Sequence, residues 1–267
     1  MKRRLFLKSS LLSASLTSVL PFLGRAATKD IFNKNANQEF YELRIYTCKT
    51  QEQENVVVDY LEKAAIPALN RLGNKNIGVF KVLKPEATIR IFVIIPFQTI
   101  EAFIKVEEKL LKDEVYKTAA SAYLNAPATE PAYDRIESSL LKAFSHMPKI
   151  EVPEKKQRLF ELRRYESASE GAGKMKIEMF NQAGEIDIFK KVGFKPVFFG
   201  KTIVGTMLPN LTYMITFDDM ADHDKKWKAF GSDPQWKKIS TIPEYADAKI
   251  VSRITSTILV PTPFSQI

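Results

Sequence analysis

Three residues able to do acid–base and anion chemistry together occur twice in this chain. They are Glu42, Arg44 and Tyr46, and then Glu161, Arg163 and Tyr165. An arginine offers a planar fork of N–H donors to a carboxylate or enolate, a glutamate can serve as base, and a tyrosine hydroxyl donates a hydrogen bond. Glu161 as base and Arg163 as oxyanion stabiliser are the catalytic candidates. A second reading needs no ligand. A buried charge needs a partner, and because both copies keep the trio, each Glu could pair with an Arg, within its copy or across a pseudo-two-fold axis.

Other reactive residues give weaker signals. His223 and Trp227 lie four apart on one helical stripe with Met220 and Phe230. A lone histidine there reads first as a satisfied core residue and second as a contributor to a ligand site. His146 is far from it in sequence, so no metal-ligand spacing appears. Cys48 is the one cysteine, which rules out an internal disulfide and, with no histidine close by, reads as an inert thiol. The acidic stretch Asp218, Asp219, Asp222 and Asp224 lacks the glycine and closing glutamate of a calcium loop, and suits a helix cap with solvated neighbours. There is no glycine-rich phosphate loop and no nucleophile elbow.

The trios need elements to hold them. Tyr41-Glu42-Leu43-Arg44-Ile45-Tyr46 alternates as a strand does, and so does Phe160-Glu161-Leu162-Arg163-Arg164-Tyr165, 119 residues later. The repeat continues at an offset of 120 through Gly73 and Gly193, Lys81 and Lys201, Phe97 and Phe217, Asp113 and Asp233, and Tyr116 and Trp236. In the first copy the pattern predicts strands over 41–46, 77–83, 89–97 and 135–144, with helices over 51–72 and 99–123. Pro67 should kink or break the first helix, and Gly73 should end it. The second copy predicts strands over 159–165, 197–204, 211–217 and 249–259. Its helices fall over 173–191, ended by Gly193, and 220–230, with one more turn started by Asp233-Pro234.

Each copy thus reads β-α-β-β-α-β, a ferredoxin-like module with helices on one sheet face and the other face bare. The cheapest cover for a bare face is the matching face of the other copy. The fold class expected is therefore α+β: tandem ferredoxin-like modules forming an intramolecular dimeric α/β barrel. Leu43, Ile45 and Leu162 should then face the helices. The trios should face the space between the sheets, and that space is the expected ligand cavity.

The paired Glu-Leu-Arg-x-Tyr strands, Phe189-Lys190-Lys191-Val192-Gly193-Phe194, Leu211 to Met220 and Trp227 to Trp236 resemble the NIPSNAP family. The second copy is the more typical. The first has Tyr116 in place of Trp236 and lacks the Asp-Pro start. The resemblance implies the dimeric α/β-barrel superfamily, whose members include cofactor-independent monooxygenases, haem-degrading enzymes, isomerases and plain ligand-binding modules. It carries no accepted catalytic residue onto this chain. The leading expectation is a small-molecule binder with Glu42, Arg44, Tyr46, Glu161, Arg163, Tyr165 and His223 at its site. The alternatives are a cofactor-independent oxygenase, isomerase or lyase at the same site, and a structural or interaction protein with no ligand. No cofactor is expected, with haem kept open, and no metal.

The N-terminus reads as an export signal. Arg3-Arg4-Leu5-Phe6-Leu7-Lys8 has the parts of a twin-arginine signal, followed by a moderately apolar stretch and Gly24-Arg25-Ala26-Ala27 as a cleavage region. The domain plan is a signal over 1–26, a tether over 27–38, a first module over 39–146, a linker over 147–157 and a second module over 158–267. The formal net charge is +9, and residues 1–26 carry five of the basic residues and no acid. The mature chain would keep +4, with no dense basic stripe for nucleic acid but a mild preference for an anionic ligand. Periplasmic export follows, with no stable membrane insertion after cleavage and a homo-oligomer left open.

Overall fold

The computed structural model describes residues 38–84 and 87–267. The expected signal and all but the last residue of the expected tether lie outside these. The first module runs β1 (Phe40–Cys48), α1 (Gln51–Tyr60), a π-helical turn (Leu61–Ala65), α2 (Ile66–Arg71), β2 (Gly78–Val82) and β3 (Ile89–Phe97). It continues with α3 (Ile100–Ile104), α4 (Val106–Leu110), α5 (Glu114–Ala119), α6 (Ser121–Leu124) and β4 (Arg135–Ala143). The second runs β5 (Leu159–Glu166), α7 (Glu170–Asn181), α8 (Glu185–Lys191), β6 (Lys195–Val204), β7 (Asn210–Phe217), α9 (Met220–Ser232) and α10 (Pro234–Ser240). A 3-10 turn (Pro243–Tyr245), α11 (Asp247–Ile250) and β8 (Arg253–Pro261) complete it.

Eight strands close into a barrel in the order β1-β3-β2-β8-β5-β7-β6-β4. Each module contributes four adjacent strands, and the seams between modules are β2 with β8 and β4 with β6. Every neighbouring pair around the ring is antiparallel. Two strands separated by an odd number of others therefore run the same way, so β1 and β5 both start at one end of the barrel. At the β4–β6 seam, Gly200 lets the backbones close in, since a Cβ there would lie 2.9 Å from that of Leu141.

The interior of the barrel is a packed apolar core. Leu43, Phe80, Ile94, Leu141, Leu162, Phe198, Met214 and Leu259, one from each strand, belong to a single buried cluster. Two further cores lie outside it, each between one half of the sheet and its own helices. Side chains alternate along a strand, so the neighbours of Leu43 and Leu162 must face those helices.

Several elements depart from the sequence pattern for local reasons. The helix from Gln51 passes through Pro67 without stopping. A wider turn precedes the proline, with the Ile66 N–H reaching back to Leu61 O, which absorbs the missing donor. The expected single helix over 99–123 is four short ones, and that over 173–191 is α7 and α8, separated by Gly184 at φ +90°. The last strand begins at Arg253, because residues 247–250 form a helical turn. Gly73 and Gly193 both take φ +92°, as their repeat position requires. Asp233 caps α10 through the N–H groups of Gln235 and Trp236, and Asp219 caps α9 through that of Asp222.

Candidate functional site

The trios do not face the space between the sheets. Tyr46 belongs to the core under the first module's helices, and Tyr165 to that under the second's, while Leu43 and Leu162 fill the barrel. The expected orientation is therefore inverted, and the expected cavity between the sheets is occupied by hydrocarbon. The physical reason is volume. The interior of a closed eight-stranded barrel is about as wide as the side chains that fill it, and here the apolar face went inside. The polar face was left to the helices, which bring their own donors.

In the second module the trio is closely packed and Glu161 is buried. Arg163 Nη1 donates to Glu161 Oε1 at 2.7 Å and Nη2 to the Tyr165 hydroxyl at 3.2 Å. Ser256, opposite Arg163 on β8, donates its hydroxyl to the same carboxylate oxygen at 2.6 Å. Trp227 Nε1 donates to Glu161 Oε2 at 3.1 Å, and the indole lies under the guanidinium, 4.5 Å from ring centre to Cζ. His223 Nε2 stands 3.3 Å from Glu161 Oε2 without the alignment of a hydrogen bond, while its Nδ1 faces Asp224 at 2.8 Å. Burial works against the charge on Arg163, but Tyr213, Tyr165 and Glu161 outweigh it and hold its pKa above the usual arginine value. His223, Glu161, Arg163 and Tyr165 lie together under the second module's helices, whereas Glu42, Arg44 and Tyr46 form a separate group in the first. His146 is part of neither group, its backbone N–H being bonded to Asn181.

The first module repeats the lock in looser form. Arg44 Nε donates to Glu42 Oε1 at 2.9 Å and Nη1 to the Tyr46 hydroxyl at 3.3 Å, and Ser138 donates to Glu42 Oε1 at 2.7 Å. The positions 120 residues before His223 and Trp227 are Phe103 and Glu107, which cannot reproduce the indole plug. A cavity of about 30 Å³ remains, lined at its polar end by Glu42, Arg44 and Tyr46, and elsewhere by apolar residues that include Leu61 and Ala65 of the π-turn, Val106 and Leu110. Around it Tyr46, Tyr60, Tyr116, Tyr123 and Tyr133 form an aromatic cluster, with Tyr60 and Tyr123 stacked at 3.7 Å. Burial pushes the phenols of Tyr60, Tyr116 and Tyr123 up, so they act as neutral hydroxyls. Burial also pushes the Cys48 thiol up to about 11, which fits an unreactive side chain.

Two features escaped the sequence pattern. Ser138 and Ser256 repeat at an offset of 118, a signal hidden among ordinary strand serines. Lys176 is 1% exposed, lies 3.5 Å from Glu185 and 3.4 Å from Asp247, and faces the rings of Tyr165, Phe180 and Trp236. In the first copy Val57 stands at the matching position of α1, so the repeat gave no hint of a buried cation. Burial raises Glu185 to about 7, against the pull of Lys176. Lys176 itself, penalised by burial, is held above its usual range chiefly by Glu185.

These features define a class: a tandem ferredoxin-like barrel with a doubled Glu-Arg-Tyr lock between sheet and helices. The NIPSNAP family model matches residues 41–148 and again 160–266, and the chain belongs to that family. Comparison with curated protein sequences gave no match. Among solved structures, a proposed monooxygenase of Fusobacterium nucleatum subsp. nucleatum is 9% identical over 84% of this chain and 93% of its own, with a TM-score of 0.56. A proposed monooxygenase of Lactobacillus acidophilus is 10% identical over 84% and 94%, with a TM-score of 0.54. An anthrone oxidase-like protein is 11% identical over 85% and 93%, with a TM-score of 0.50. At such identities the likeness is one of fold.

Proposed function

We propose that this NIPSNAP-family protein binds a small ligand in its first module, between the sheet and the helices, with the second module as its rigid partner. The observation that carries this reading is the asymmetry of the two locks. Trp227 and His223 plug the second, whereas the first keeps a cavity beside Arg44. A π-turn lines that cavity, and such turns gather at functional sites. The cavity has the volume of about one water, so a ligand must displace its cover. α3 and α4 suit that role, since none of their residues is fully buried. Apolar walls with an arginine and a tyrosine at one end favour a small, mostly apolar molecule ending in a carboxylate or phenolic oxygen.

The enzyme reading at Glu161 finds less support. Hydrogen bonds from Arg163, Ser256 and Trp227 take three of that carboxylate's acceptor sites, and the residue is buried. The likeness in fold to proposed monooxygenases keeps oxygenase chemistry as a question for the first module alone. Thermal-shift screening against small carboxylates and phenolics should yield a compound whose stabilisation of the chain is abolished by Arg44→Met and kept by both Arg163→Met and Arg158→Gln. Absence of any stabilising compound would sink the reading.

Export is part of the same proposal, resting on the arginine pair and the short apolar stretch behind it. Replacing Arg3 and Arg4 by lysine should hold the precursor in the cytoplasm, as cell fractionation would reveal.

A further inference from the structure

At the end of the barrel where β1 and β5 start, Arg158 is 4% exposed and forms no ion pair with any described residue. Its Nη2 donates to the carbonyl of Glu154 at 2.7 Å, and its Nε is sealed from solvent with no acceptor. A guanidinium enclosed without a counter-charge is costly. It lines a pocket of about 190 Å³, roughly six water volumes. The apolar part of the wall is Pro153, Phe160, Pro261, Pro263 and Ile267, Thr262 and Ser265 add hydroxyls, and Lys155 stands at the rim with no ion partner among the described residues. The other rim charges are answered, Lys156 by Asp218 at 2.6 Å and Glu154 by Lys195 at 3.6 Å.

The repeat makes the site specific. The position 119 residues before Arg158 is Glu39, at the same end of the barrel. Its carboxylate accepts the N–H of Ile150 at 2.8 Å, from the linker that crosses that end. The first copy thus has an acid satisfied by backbone. The second has a cation without an ionic partner among the described residues, beside a space that Pro261, Pro263 and Ile267 line.

We infer that this pocket binds a small monocarboxylate, its charge against Arg158 and its short aliphatic or aromatic body against Phe160 and the prolines. Lys155 adds attraction at the entrance, and Phe160 with the prolines offers the ligand's body a contact that an inorganic anion lacks. This site is separate from the cavity of the first module and stands or falls independently of it.

Titration calorimetry of the full chain with benzoate, butyrate and inorganic phosphate tests the assignment. Benzoate and butyrate should bind, Arg158→Gln should weaken both by at least ~10-fold, Lys155→Ala by less, and Arg44→Met should leave them unchanged. Because Arg158 is buried and its replacement could unfold the chain, a wild-type crystal soaked with 4-bromobenzoate provides a second readout. The bromine signal should lie in the Arg158 pocket. Binding of phosphate but not of the carboxylates, no binding at all, or bromine located elsewhere would each overturn the inference.

Discussion

Glu161 is held by three hydrogen bonds and sits beside a guanidinium whose charge cannot be removed at any ordinary pH. Glu161→Gln keeps the shape but leaves Arg163 without its carboxylate, in a layer where water does not compensate. We expect a loss of ~3–5 kcal/mol in folding stability, measured by urea unfolding. A change below ~1 kcal/mol would mean the pair behaves as a surface bridge. The residue types were legible in the sequence, and their mutual pairing was one of the two readings it offered. The face they occupy was not, because Leu43 and Arg44 alternate whichever way the strand is turned, and only the volume inside the closed barrel decides between them.

At the scale of elements, α7 and α8 carry a buried pair that the first module does without. Glu185, raised from 4.5 to about 7 mainly by burial, binds its proton more tightly in the folded state than in the unfolded one. Its contribution to stability is therefore full below pH 4.5 and is lost as pH rises through about 7. Chemical unfolding at pH 5 and pH 8 should show that decline, and Glu185→Gln should flatten it. Lys176→Val leaves Glu185 buried without its cation and should destabilise strongly at pH 8. The double substitution Lys176→Val with Glu185→Ala copies Val57 and Ala65 of the first module and should recover much of the loss. If the double variant is as weak as the sum of the singles, the pair is not coupled as described. Strands and glycine stops could be read from periodicity and the repeat. The continuity through Pro67 could not, since it depends on a π-turn set by packing rather than by composition.

At the largest scale, the seams β2–β8 and β4–β6 are the only strand pairings between modules among the described residues, and the interior core takes side chains from both. Residues 39–146 alone would expose two unpaired edges and an apolar sheet face. That fragment should self-pair or aggregate, and light scattering after size-exclusion chromatography would reveal it. A stable, folded monomer of the fragment would contradict the shared-core description.

The sequence by itself determined the duplication and the order of strands in each copy, and offered glutamate–arginine pairing as one of two readings, because repeat spacing and side-chain period are local and survive without coordinates. Only the tertiary structure decided which face of each opening strand turned inward and how tightly each lock is plugged. It also left Arg158 buried without a counter-charge. These depend on the volume and charge left over once two diverged halves meet, a quantity that no single stretch of chain contains.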